Sequence, residues 1–316
     1  MSDTAGPGRL SICGGVAEQC FVSPTALHLC LREQIKASVK RSVRASLDGV
    51  PSQNVTNESS LTPALQELLD SIPESDSPVS TNTFRYDGGD TELEGFFAAP
   101  ATSDDKRPGV LVLHDWFGLV DHVKVRAQML ARLGYVALAG DVYGADSRPA
   151  SNDEAAALAG KYYGDVDLFR ARVLANLETL RAHPRVDPSR IAVMGYCFGG
   201  SGALEAARAG ADVKGVVAFH GGLGTSKPAE PGSVTASVLV LTGAQDPVVP
   251  SQAVDMFEDE LRNAGVADWQ VVNYSGAMHA FAVPDTNFPE MGAQFQETAN
   301  RRSWQAMEDF FEEIFA

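Results

Sequence analysis

The chain has 316 residues, enough for one large domain or two small ones, with an ordinary 44% hydrophobic and 21% charged content. Its 25 Lys and Arg against 41 Asp and Glu leave a net charge of −16. That balance repels phosphate backbones and anionic lipid, so nucleic-acid and membrane-surface binding are excluded as first readings. No apolar run approaches the roughly 18 residues of a membrane helix, and the 29 glycines follow no repeat, which removes solenoid and collagen-like designs.

Residues 1 to about 80 are rich in Ser, Thr and Pro, and Phe21 is their only aromatic before Phe84. Leu31, Ile35, Val39 and Val43 recur at helical spacing and predict a basic amphipathic helix over Leu31–Val43. The Arg and Ser content of 32–46 faintly resembles a transit peptide, with the acidic Glu33 interspersed. Residues 49–83 read as a linker. The expected division is therefore an N-terminal extension, 1–80, disordered or dispensable, and one domain, 81–316. Cys13, Cys20 and Cys30 lie in the extension and Cys197 stands alone. This is neither a disulfide framework nor a four-ligand zinc site, and it fits a reducing cytoplasm.

From Phe84 the pattern becomes regular. Phe84–Tyr86 and Leu93–Ala98 predict a hairpin around Asp87-Gly88-Gly89. Gly109–His114 is a continuous apolar run, the mark of a strand covered on both faces. A helix over Val123–Leu133 and a strand over Tyr135–Gly140 follow, then a loop containing Tyr143, Pro149 and Ser151. Leu168–Leu180 is helical, with Phe169, Val173, Leu177 and Leu180 on one side. Arg190–Tyr196 reads as strand, Gly200–Ala209 as helix, and Gly215–Phe219 and Val238–Thr242 as strands. Ala253–Ala264 is a helix, Trp269–Tyr274 a strand and Ala299–Phe315 a last helix. Alternating strands and helices predict a mostly parallel sheet with helices on both faces. In such sheets ligands bind beyond the carboxyl ends of the strands, so chemistry belongs in the residues just after each strand.

Gly195-Tyr196-Cys197-Phe198-Gly199-Gly200 follows a predicted strand and opens a predicted helix. This is a nucleophile elbow with Cys in place of Ser. The tight turn strains the backbone of the nucleophile, often to positive φ, and side chains two residues before and after it would collide with neighbours. A buried free cysteine is otherwise a small hydrophobe, but the strand–turn–helix context favours a nucleophile. The helix N-terminus aimed at the sulfur favours thiolate.

Such a nucleophile needs an acid and then a histidine later in the chain. Only His220 and His279 follow Cys197. His279 lies just after the last predicted strand. His220 precedes any suitable acid, so it is out of order for the base; it lines the site or satisfies the loop backbone. Asp246, in Gly243-Ala244-Gln245-Asp246-Pro247, ends a strand and supplies the acid. Asp141 also ends a strand but precedes the nucleophile and reads as structural.

These residues give the stretch from about Phe84 to the C-terminus a resemblance to the dienelactone hydrolase family, α/β-hydrolases with a cysteine nucleophile. The motifs are Glu94-Gly95-Phe96 with Pro100, His114-Asp115-Trp116-Phe117-Gly118, Gly140-Asp141-Val142-Tyr143, the elbow, Gly243–Pro247 and His279-Ala280-Phe281, in family order. The resemblance implies an α/β-hydrolase fold, a Cys197–His279–Asp246 triad, and an oxyanion hole from the backbone N–H groups of Trp116 and Phe198. It also implies a carboxylate beside the nucleophile, where the family has glutamate and this chain the shorter Asp115; its plainer reading is a loop carboxylate capping the next helix. Dienelactone hydrolase itself holds its substrate carboxylate with arginines. At those places this chain has Gly144-Ala145 and Ala282-Val283, with Arg148 nearby but not aligned.

The expected activity is hydrolysis of small neutral esters or lactones through a thioacyl intermediate, without metal or other cofactor. Phosphotriester hydrolysis on the same triad is the alternative within enzymes. A non-catalytic α/β-hydrolase-fold binding protein is the alternative outside them, and the complete triad argues against it.

Overall fold

In the computed structural model, residues 61–74, 77–102 and 105–316 are described. The predicted helix Leu31–Val43 and Cys13, Cys20 and Cys30 lie outside them.

A first helix, α1 (Pro63–Asp70), precedes a hairpin of β1 (Val79–Asp87) and β2 (Glu92–Pro100). Then come β3 (Arg107–Leu113), α2 (Asp121–Arg132), β4 (Val136–Gly140), α3 (Asn152–Gly164), α4 (Val166–Ala182) and β5 (Val186–Tyr196). The second half runs α5 (Phe198–Arg208), β6 (Gly215–Phe219), β7 (Ser237–Gly243), α6 (Ser251–Ala264) and β8 (Trp269–Tyr274). A small ribbon, β9 (Asn287–Phe288) with β10 (Ala293–Gln294), leads into α7 (Glu297–Phe315).

The main strands form one eight-stranded sheet in the order β1-β2-β4-β3-β5-β6-β7-β8. β1 and β2 are antiparallel to each other, β2 is antiparallel to β4, and every other pairing is parallel. This is the α/β-hydrolase fold. Period-2 alternation divides the central strands between two cores: Leu111 and Leu113 of β3 join Val173 and Leu177 of α4, whereas Val110 and Val112 join Met129 of α2 and Phe311 of α7. Burial on both faces explains why these strands read as unbroken apolar runs.

Two elements correct the sequence reading. The stretch 49–83, read as linker, contains α1 and the start of β1. Leu65, Leu68 and Leu69 of α1 are buried in the α2–α7 core. Thr62 caps the helix N-terminus by accepting from the Leu65 N–H, and Pro63 stands at its first position. Arg132 of α2 closes the other end by donating to the carbonyls of Leu69 and Ile72. The second element, α3, lies in a stretch for which no element was predicted beyond the loop. It buries only Ala155, Ala159 and Tyr162, too narrow a stripe for a strong periodic signal. Ser151 caps it through the Glu154 N–H.

Candidate active site

The turn from β5 to α5 behaves as its glycines require. Cys197 has φ 51° and ψ −112°, a left-handed backbone that a non-glycine residue adopts only under constraint. Its N–H donates to Phe219 O at 2.9 Å. A Cβ at Gly195 would lie 2.2 Å from Gly199 C and O, and one at Gly199 would lie 2.3 Å from Leu113 O. Both contacts are with backbone, so no side-chain adjustment relieves them. The elbow can close only with glycine at both positions.

The loops after β7 and β8 bring the other two residues to the sulfur. His279 Nε2 is 3.0 Å from Cys197 Sγ and His279 Nδ1 is 2.8 Å from Asp246 Oδ2. Asp246 is buried, and its Oδ1 accepts from the N–H groups of Val248 and Val249, which fixes the carboxylate. Burial alone would lower the His279 pKa. The charge on Cys197 and the bonds to Asp246 and Cys197 outweigh it and hold the imidazole up at about 10. The arrangement favours an imidazolium beside sulfur.

His279 is also gripped through its backbone. Its N–H donates to Gly292 O and its carbonyl accepts from the Gln294 N–H, in a parallel bridge with Ala293. Arg126 of α2 donates to Ala282 O and to Asn300 of α7, tying down the loop three residues farther on.

Trp116 and Phe198 stand where oxyanion donors are expected, one after β3 and one just after the nucleophile. Phe198 is the first residue of α5, so its N–H has no acceptor within the helix. The Trp116 loop is held from two sides. Tyr143 donates its hydroxyl to Trp116 O at 3.1 Å. Buried His114 approaches Asp115 O through Nδ1 and accepts the Val142 N–H on Nε2.

Asp115 folds back on its own loop, where Oδ1 accepts the Phe117 N–H at 2.8 Å. No hydrogen bond joins it to Cys197 among the described residues. Burial pushes its pKa up to about 6, against the Phe117 N–H and the charge of His279. It therefore stands within electrostatic reach of the base. Asp141 accepts from the N–H groups of Tyr143 and Gly144 and shapes the turn after β4. Arg148 is committed to Asp141 at 3.3 Å and Glu94 at 3.4 Å, and donates to Gly144 O.

His220 satisfies its loop through the backbone, its N–H donating to Leu241 O. Its ring is fully buried with its centroid 5.3 Å from that of His279.

One site residue has no counterpart in the sequence reading. Tyr163, at the end of α3, hydrogen-bonds Ser201 of α5 at 3.1 Å, packs its ring edge on Phe198, and has its phenol pKa raised by burial and then by the charge of Cys197. Assigning α3 would have shown that Tyr162 and Tyr163 end a helix beside the elbow. Among the described residues no His, Cys, Asp and Glu are grouped to hold a metal ion, and no helix is long and apolar enough to cross a membrane.

The chain resembles known proteins over most of its length. The chain is 38% identical to the solved structure named m3DLH, with TM-score 0.72, covering 75% of this chain and 99% of that one. It is 39% identical to a dienelactone hydrolase-like promiscuous phosphotriesterase from metagenomic libraries, with TM-score 0.70 and the same coverage. The Escherichia coli K12 protein named "Putative carboxymethylenebutenolidase" is 26% identical over 271 residues, 82% of this chain and 96% of that protein. The profile of the dienelactone hydrolase family matches residues 93–315, and the chain belongs to that family.

Proposed function

We propose that Cys197 is the nucleophile of a Cys197–His279–Asp246 triad that hydrolyses small neutral esters or lactones through a thioacyl-enzyme intermediate. Family membership makes the chain a carboxylic ester hydrolase; the observation that carries the mechanism is His279, bonded to sulfur at 3.0 Å and to carboxylate at 2.8 Å. The Cys197 thiolate adds to the substrate carbonyl, and the N–H groups of Trp116 and Phe198 receive the resulting oxyanion. Collapse expels the alkoxide, which takes the Nε2 proton of His279. A water then gives its proton to His279 and adds to the thioester, and the acid leaves as sulfur departs. Asp246 holds His279 in the productive tautomer and balances its charge.

The neutral substrate follows from charge. Arg148 is neutralised by Asp141 and Glu94, and Trp116, Tyr143, Tyr163 and Phe198 give the surroundings of the sulfur an aromatic character. A thiol nucleophile serves only while reduced, which fits a cytoplasmic setting.

Phosphotriester hydrolysis is the second reading, favoured by the 39% identity to a protein described as a promiscuous phosphotriesterase. A neutral phosphorus centre also develops negative oxygen on attack, so the same donors serve it. The test is a panel of p-nitrophenyl esters, lactones and aryl phosphotriesters with Cys197→Ala as control. Mass spectrometry with a slow ester is expected to find the acyl group on Cys197. An adduct on a serine, or full activity in Cys197→Ala, overturns the mechanism. A binding protein without catalysis would show neither turnover nor rapid alkylation of Cys197 by iodoacetamide.

A further inference from the structure

Beneath the triad lie polar groups for which the proposed reaction has no use. His220 is fully buried, and neither of its ring nitrogens has a hydrogen-bond partner among the described residues. The hydroxyl of Tyr196 is in the same state. Both stand at the carboxyl ends of the adjacent strands β5 and β6. Tyr196 pairs with Phe219, so His220 occupies the next step of the ladder. The Tyr196 and His220 ring centroids are 5.9 Å apart.

Buried polar atoms in native proteins are almost always paired, with protein or with ordered water. A neutral imidazole offers one donor and one acceptor, and the hydroxyl offers both. That set suits water, which makes two to four such bonds when buried.

Two further observations tie the cluster to His279. The His220 backbone is left-handed, with φ 40°. Such strain in a non-glycine residue is maintained only where the surroundings demand it. The His220 ring meets His279 edge to face, 5.3 Å between centroids at an interplanar angle of 68°. Both nitrogens of His279 are already committed, to Asp246 and Cys197. Burial first, then the charges of His279, His122 and Arg126, keep His220 neutral. A neutral ring is an electron-rich neighbour for an imidazolium, whereas a charged one would repel it.

We propose that His220 and Tyr196 hold ordered water beneath the triad, and that the hydrated His220 is a positioning residue that keeps the His279 ring aligned on Cys197. The proposal rests on the triad reading for its consequence in turnover but not for the water.

The test uses the full chain. A crystal structure at about 1.5 Å is expected to show a water within about 3.2 Å of a His220 ring nitrogen; a dry site overturns the hydration. His220→Phe keeps an aromatic ring there and removes both nitrogens, while His220→Gln keeps polar atoms. His220→Phe is expected to slow iodoacetamide alkylation of Cys197, and to lower kcat for a p-nitrophenyl ester, about five- to tenfold, with KM unchanged and partial recovery in His220→Gln. Alkylation of His220→Phe within about twofold of the parent overturns the positioning role. Where His220→Phe fails to fold, Tyr196→Phe removes one hydroxyl, and an unchanged alkylation rate there has the same force. Alkylation reads the Cys197–His279 pair whether or not that pair turns over esters. Failure of the triad would instead appear as activity surviving in Cys197→Ala.

Discussion

Replacing Leu68 by alanine tests whether α1 belongs to the hydrolase domain. Leu68 is 6% exposed and packs in the core shared by α2 and α7. Leu→Ala changes in cores cost about 2–5 kcal/mol. Leu68 sits at the margin of its core, on a short helix that can settle into the gap, so the lower end applies, about 2–3 kcal/mol. For a domain of this size each kcal/mol moves the melting temperature by about 2–4 °C, so a drop of about 5–10 °C is expected. Leu68→Met, which conserves volume, should cost less than about 1.5 kcal/mol. Thermal melts of the two variants and the parent, followed by far-UV circular dichroism, decide the matter. A Leu68→Ala melt within about 1 °C of the parent refutes the packing of α1. The same reasoning divides truncations. A chain beginning at Leu61 keeps α1 and should melt and turn over like the parent. One beginning at Ser77 loses three buried leucines, and also the Thr62–Asp285 bond that reaches the segment after His279.

Asp246→Asn keeps an oxygen for the Val248 and Val249 N–H groups but turns an amide toward His279 Nδ1. The kcat for an aryl ester should fall about 10²- to 10⁴-fold with little change in melting temperature; a loss under tenfold would remove Asp246 from the triad. Asp115 has a folded-state pKa of about 6 against the ordinary 3.8. Its protonated form is favoured by the fold, so this contribution is complete below about pH 4 and is lost as pH rises through about 6. Asp115→Asn should therefore stabilise the protein at pH 7.5 by on the order of 2–3 kcal/mol and have little effect at pH 4, which melts at the two pH values will show. A neutral aryl ester should exceed a carboxylate-bearing lactone of the same size in kcat/KM by about tenfold or more, because Arg148 is already held by Asp141 and Glu94. Preference for the anionic lactone would mean that Arg148 leaves Asp141 and Glu94 to bind it.

The parts of the site legible in the sequence are those where chemistry dictates residue type and order. Gly195, Cys197 and Gly199 are forced by a turn with no room for a Cβ. The order Cys197, Asp246, His279 leaves a single histidine in the right place. Strands covered on both faces announce themselves as apolar runs. Less legible is whatever depends on distant partners. The three buried leucines of α1 sit in a Ser- and Pro-rich stretch, and their partners on α2 and α7 are remote in the chain. Tyr163 gains its place only once α3 is laid against α5. Asp115 sits in its motif, but its turn toward the Phe117 N–H is a matter of side-chain geometry that spacing does not encode. His220 was excluded as base by order alone; its seat beneath His279 comes from strand register and a left-handed backbone.

The β9–β10 ribbon divides its work between main chain and side chains. Its main chain, at Gly292 in the turn and Gln294 of β10, holds the backbone of His279. Among its side chains, Phe288, paired with Ala293, and Met291, next to Gly292, are exposed. Side-chain changes at those two positions leave the backbone groups that hold the base in place, whereas a residue inserted between Gly292 and Gln294 shifts the register of that hold. A change of length there moves the base against sulfur without altering any of the three residues that react.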